Sequence, residues 1–177
     1  MRYLRTSDHA ASGVAGPGPL EKGLAVPLTI NETQAVAEIR RVLDSRLAAL
    51  RGKDAERFAA HYATDVVKFD LAPPLARTGP DVRDVAGWDS WFATWSGPIW
   101  QEILEFAATV AAGAGIAHCH GLVNLRGEKI GEGTIDMWFR STWCLGRIDG
   151  RWRITHEHNS TPFYMDGTYR AATDLVP

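Results

Sequence analysis

The chain has little cysteine, no long apolar run and no excess of charge of either sign, and each shortage removes a class of protein. Two cysteines among 177 residues, Cys119 and Cys144, both inside strand-like segments, do not make a disulfide framework. They read as reduced, buried small hydrophobes. No apolar stretch approaches the roughly 20 residues that a membrane-spanning helix needs. The first residues, MRYLRTSDHAASG, hold no apolar segment between the basic positions and the small ones, which argues against a secretory signal. A formal charge of -2, without a run of Lys and Arg, offers no footprint for nucleic acid or a membrane surface. The expectation is a cytoplasmic chain of one domain, with 45% hydrophobic residues to form its core.

What is present is ordered along the chain. Residues 1–30 are rich in Gly, Ala, Ser and Pro and carry no hydrophobic period, so they read as a flexible arm before a domain at 31–177. Asn31 opens a helix as its cap, and Val36, Ile39, Leu43, Leu47 and Leu50 recur at helical spacing until Gly52. A shorter helix is expected over Asp54–Tyr62 and a strand over Val66–Asp70, closed by Pro73 and Pro74. Gly87–Ser96 forms a third helix with Trp88, Trp91 and Trp95 on one side. Strand-like segments follow at Trp100–Ala111, Ile116–Arg126, Thr134–Ile148 and Trp152–Ser160, separated by turn residues. Three N-terminal helices followed by an antiparallel meander predict an α+β layer fold.

The last segment is the most telling. In WRITHEHNS, Trp152, Ile154, His156 and His158 alternate with Arg153, Thr155 and Glu157, and strand side chains repeat every two residues. Two apolar residues and two imidazoles on one surface suggest the wall of a pocket. The neighbouring register turns on the Asp149-Gly150 loop. A two-residue loop pairs Trp152 with Arg147 and sets the histidines beside Phe139 and Trp143. A three-residue loop pairs Trp152 with Ile148 and sets them beside Asp136, Trp138, Arg140 and Thr142. The second is preferred because it gathers the polar residues into one site. It leaves Ile135, Met137, Phe139, Trp143 and Leu145 facing outward, too apolar to stay wet, and so predicts a homodimer packed sheet to sheet.

Helix, helix, short strand, helix and curved antiparallel sheet resemble the nuclear transport factor 2-like fold. Within it the chain resembles the ketosteroid isomerase and SnoaL-like polyketide cyclase superfamily. The residues that carry this are GKDAERFAAHYATDVVKFDLAPPL at 52–75 and RIDGRWRITHEHNS at 147–160, and the likeness spans about 31–163. It implies a cone of helices on a curved sheet around a pocket for a hydrophobic small molecule, and it implies neither metal nor cofactor. Asp70 then stands where ketosteroid isomerases keep their general base. The first helix has no tyrosine for an oxyanion, and Arg46 takes the inward position; Asp136 is the candidate for the acid on the sheet.

The candidate chemistry follows. Asp70, among Phe69, Leu71 and two prolines, is expected to have its pKa raised by desolvation and to act as a base, or else to pair with Arg46, Arg77 or Arg140. His156 or His158 would shuttle the proton. Arg140 or Asp136 would stabilise developing charge, an inward arginine being costly unless it faces an anion. Tyr62, Phe69, Trp88, Trp91, Trp95, Trp138 and Phe163 would line an aromatic pocket, with His118 and His120 on its wall. The two His-x-His pairs invite a metal, yet they lie on strands separated by a third, and no metal is assigned. The expected activity is isomerisation, cyclisation or dehydration of a carbonyl-bearing ring compound; the alternative is a non-catalytic dimeric carrier.

Overall fold

A computed structural model describes residues 30–177, so the arm expected over 1–30 lies, except for its last residue, outside the described residues. Helix α1, Ile30–Arg51, turns Ile39, Leu43 and Leu50 into the core, all 2% exposed or less. Arg46 falls on that same stripe and is 4% exposed, because positions 39, 43, 46 and 50 repeat at helical spacing. The chain leaves α1 through a left-handed residue, and Lys53 (φ 54) takes that role rather than Gly52. Asp54 caps α2, Ala55–Ala59, by accepting from the Arg57 N–H at 2.9 Å.

Strand β1 runs Tyr62–Phe69, longer than expected from the sequence, and it claims Tyr62 because that residue pairs with Ile154 across the sheet. The short β2 (Arg77–Thr78), one-turn α3 (Gly79–Val82) and α4 (Val85–Phe92) follow. Strands β3 (Trp100–Ala111), β4 (Ile116–Lys129), β5 (Gly133–Ile148) and β6 (Arg151–Ser160) complete one six-stranded sheet, in the order β2-β1-β6-β5-β4-β3. The four long strands form an antiparallel meander, and β1 joins β6 in parallel. Helix α1 packs against β3 and β6 on one face of this sheet.

Two bulges bend the β3–β6 meander. In β3, Leu104 pairs with Leu122 and Ala107 with His120, so Glu105 and Phe106 together oppose Gly121. A Cβ on Gly121 would lie 2.7 Å from Ile103 Cγ2 and 2.8 Å from the Leu104 carbonyl oxygen, so the crossing requires glycine. In β6, Cys144 pairs with His156 but Leu145 pairs with Ile154, leaving Thr155 as the extra residue.

The β5–β6 turn overturns the register preferred from the sequence, and the second bulge reverses the facing of the residues beyond it. Asp149 (φ 49) and Gly150 (φ 75) form a two-residue hairpin loop, and Trp152 pairs with Arg147, not Ile148. Trp152 and Ile154 point into the core. Past Thr155 the alternation reverses, so Glu157 (1% exposed) and Asn159 (7%) point inward in place of the histidines. His156 and His158 do share a face with Thr142 and Arg140, but that face is the outer one. The set Ile135, Met137, Phe139, Trp143 and Leu145, expected to face a second copy, is the inner face. Phe139, Trp143 and Leu145 are 5% exposed or less beneath the helices. The physical premise for a dimer packed through those residues is removed.

Candidate functional site

Between the helices and the inner face lies a cavity of about 530 Å³. One wall comes from α4 and the residues after it. Trp88, Trp91 and Trp95 follow one another edge to face, with ring centroids 5.9 and 5.6 Å apart. Gly127 admits the Trp95 ring, since a Cβ there would meet its six-membered edge at 3.0 Å. The facing wall is the sheet, with Leu125, Ile135, Met137 and Phe139.

The floor is a chain of alternating charges. Arg46 Nη2 donates to Glu157 Oε1 at 3.0 Å, and Arg46 Nε donates to the Tyr62 hydroxyl oxygen at 3.0 Å. The Tyr62 hydroxyl donates in turn to Glu157 Oε2 at 2.6 Å. Lys68 Nζ stands 3.7 Å from Glu157 Oε1 and 2.9 Å from Asp70 Oδ2. Asn159 Nδ2 ties the two carboxylates together, donating to Glu157 Oε1 at 3.0 Å and to Asp70 Oδ1 at 3.2 Å. The Ser141 hydroxyl donates to the Asn159 side-chain oxygen. Two cations and two anions balance, which makes such deep burial tolerable.

The charges hold one another ionised. Burial alone would pull the Lys68 ammonium down, but Glu157 first and then the other anionic neighbours outweigh it and raise its pKa. Burial would raise Glu157, and Arg46 and Lys68 hold it below the ordinary carboxylate range. Asp70 follows the same logic and corrects the sequence expectation. Desolvation pushes it up, but the Lys68 ammonium, the Asn159 amide and the Leu71 N–H bring it below its usual value. Its partner is Lys68; none of Arg46, Arg77 and Arg140 forms an ion pair with it.

Of the residues singled out in the sequence, Arg46, Asp70, Arg77, Trp88, Trp91 and Trp95 line the cavity, and Tyr62 lies beneath its floor. The others lie elsewhere. His118, His120, His158, Asp136 and Arg140 are exposed on the outer face, and His156 is half-buried there. The Phe69 ring packs edge-on against His156 and His158, at 5.0 and 5.6 Å, on that same outer side. Trp138 pairs with the outer-face Asn124, whose amide donates to Asp136 Oδ1 at 2.8 Å. Phe163, 60% exposed, sits in the C-terminal segment. Among the described residues, no group of three or more His, Cys, Asp or Glu side chains is arranged to hold a metal ion. Cys119 and Cys144 are free thiols, Cys119 pushed up to about 12 by burial.

Sequence reasoning missed Lys68, Asn159 and Ser141, and it put Glu157 on the wrong side. A signal for Lys68 existed, since Val66, Lys68 and Asp70 fall on one face of an alternating strand. The inward turn of Glu157 and Asn159 depends on the bulge at Thr155, which has no such signal.

An α+β arrangement whose curved sheet and helices enclose an apolar cavity over a polar floor defines the class: the nuclear transport factor 2-like fold. The sequence profile of the SnoaL-like domain matches residues 39–164, and the chain belongs to that family. A solved NTF2-like protein of unknown function from Pseudomonas putida KT2440 is 30% identical, with a TM-score of 0.70 over 82% of this chain and 98% of that one. Two more distant structures share the fold. A putative dehydratase of the NTF2-like family from Streptomyces avermitilis is 12% identical, with a TM-score of 0.62 over 73% of this chain and 97% of its own. A ketosteroid isomerase-like protein from Erwinia carotovora atroseptica is 21% identical, with a TM-score of 0.58 over 72% and 95%. No protein of curated function matches the chain. Among the described residues, no helix is long and apolar enough to cross a membrane.

Proposed function

We propose that the chain is a small-molecule enzyme performing acid–base chemistry, without a cofactor, on a hydrophobic ring compound that bears a carbonyl. The observation that carries this is the exposure of the floor. The Arg46, Lys68 and Glu157 side chains are 5% exposed or less, whereas that of Asp70 is 26% exposed and opens on the cavity. Arg46 and Glu157 act as scaffold; Asp70 is the most open member of the chain, and Lys68 beside it also lines the cavity.

In the proposed step, Asp70 takes a proton from the carbon beside the carbonyl. The C–H electron pair moves to the carbonyl oxygen, giving an enolate. Lys68 has three N–H donors and two carboxylate neighbours, so one donor is left for that oxygen. A carboxylate held below its ordinary pKa is a weak base, and the adjacent ammonium compensates by stabilising the enolate more than the neutral ketone. Return of the proton to another carbon completes an isomerisation; expulsion of a β-hydroxyl, which takes the proton back from Asp70 and leaves as water, gives a dehydration. The tryptophan wall holds the ring flat against the sheet.

A second reading, a non-catalytic carrier, is favoured by one observation: Asp70 already accepts from Lys68, Asn159 and the Leu71 N–H. Tryptophan fluorescence and absorbance with flat ketones, phenols and polycyclic acids separate the two. Saturable binding by wild type and Asp70→Asn, with absorbance change over time only in wild type, supports the enzyme. Binding without chemical change in wild type sinks it in favour of the carrier.

A further inference from the structure

One cation at the cavity is unanswered. Arg77, on β2, pairs in register with Lys68, so the two side chains project from the same face of adjacent strands. Both line the cavity. Lys68 has Asp70 and Glu157 beside it. Arg77 is half-buried and, among the described residues, its side chain makes no ion pair, hydrogen bond or ring contact. Asp81 and Asp84 also border the cavity, but both are exposed and without an ion pair to Arg77. A partly desolvated guanidinium without an anion is unfavourable, and its fork of N–H donors fits a carboxylate in two places at once.

We infer that Arg77 is a recognition residue for an anionic group, and that the ligand is an aromatic or polycyclic acid carrying a carboxylate at the β2 side of the cavity. The inference rests on the proposed small-molecule site but not on its chemistry. The ring lies between the tryptophan wall and Met137 and Phe139, and its carboxylate meets Arg77. A neutral ring of the same shape keeps the apolar contacts and loses the charged pair. Arg77 sits in a two-residue edge strand and anchors no buried network, so its substitution leaves the fold intact.

The test is isothermal titration of the full chain with 2-naphthoate and with 2-naphthamide, which share a ring system and differ in charge. Wild type is expected to bind the acid about tenfold more tightly than the amide. Arg77→Gln removes that preference while leaving amide affinity unchanged, and Arg77→Lys restores part of it. Equal affinity for both probes in wild type overturns the inference, as does a preference that survives Arg77→Gln or an absence of binding by either probe. Asp70→Asn turnover is a separate readout: its loss or retention decides the acid–base reading and leaves the acid–amide comparison standing.

Discussion

The inner and outer faces of the sheet use their polar residues differently. On the inner face Ser141, Asn159 and Glu157 are tied to one another and onward to Arg46, Tyr62, Lys68 and Asp70. On the outer face, a single strand thickness away, His118, His120 and Arg140 make no ion pair or side-chain hydrogen bond among the described residues. Burial accounts for the contrast. Inside, an unpaired charge costs several kcal/mol, so polar residues survive there only as a closed network. Outside, water satisfies them and geometry is free. A buried polar network therefore points to the working surface more reliably than a cluster of chemically versatile side chains.

The largest effect expected from breaking this contrast is at Glu157. Glu157→Gln leaves Arg46 and Lys68 without their shared anion, and urea denaturation should show a loss of about 3–5 kcal/mol. Asp70→Asn should lower turnover about 100-fold or more with ligand binding retained, as expected for removing a general base. Retained turnover contradicts the assignment.

The pH dependence comes next. Asp70 and Glu157 have folded pKa values below their unfolded ones. Their contribution is therefore fully present above the ordinary carboxylate range, about pH 5, and is lost as pH falls through the folded values. Stability measured from pH 7 downward should decline below about pH 5. Glu157→Gln should flatten that decline, and an unchanged slope would show that the pairing with Arg46 and Lys68 is not felt. Gly121→Ala forces a Cβ against Ile103 and the Leu104 carbonyl, and thermal melts should show a cost of about 1–3 kcal/mol. At the small end, His156→Ala with His158→Ala should cost under about 1 kcal/mol and leave turnover unchanged, because both lie on the far face. A hundredfold loss of turnover there would transfer the site to the outer surface.

Most elements were legible because they have strong local signals. The apolar spacing of Ile39, Leu43 and Leu50, the turn residues Asp149-Gly150, and Trp88 and Trp91 on α4 sit where pattern reading put them, whereas the helix expected to reach Ser96 ends at Phe92 and leaves Trp95 beyond it. Asp70 was found through resemblance, and it lines the cavity. The facing of β6 was not legible. Alternation is a local rule, and one extra residue at Thr155 reverses it for everything beyond. That reversal moved Glu157 and Asn159 in and the histidines out. It also inverted the reading of β5, because the apolar set with Phe139 and Trp143 was assigned to the solvent face when the histidines were assigned to the pocket. The pKa of Asp70 was misjudged for a related reason. Its apolar neighbours in sequence were visible, while Lys68, two residues back on the same face, was not weighed.

The most direct test is a time course of absorbance with the ring-compound panel, run side by side on wild type, Asp70→Asn and the doubly substituted His156→Ala, His158→Ala protein. Conversion by wild type and by the histidine variant, with none by Asp70→Asn, is the expected result. Conversion by Asp70→Asn with none by the histidine variant would contradict an inner-face site.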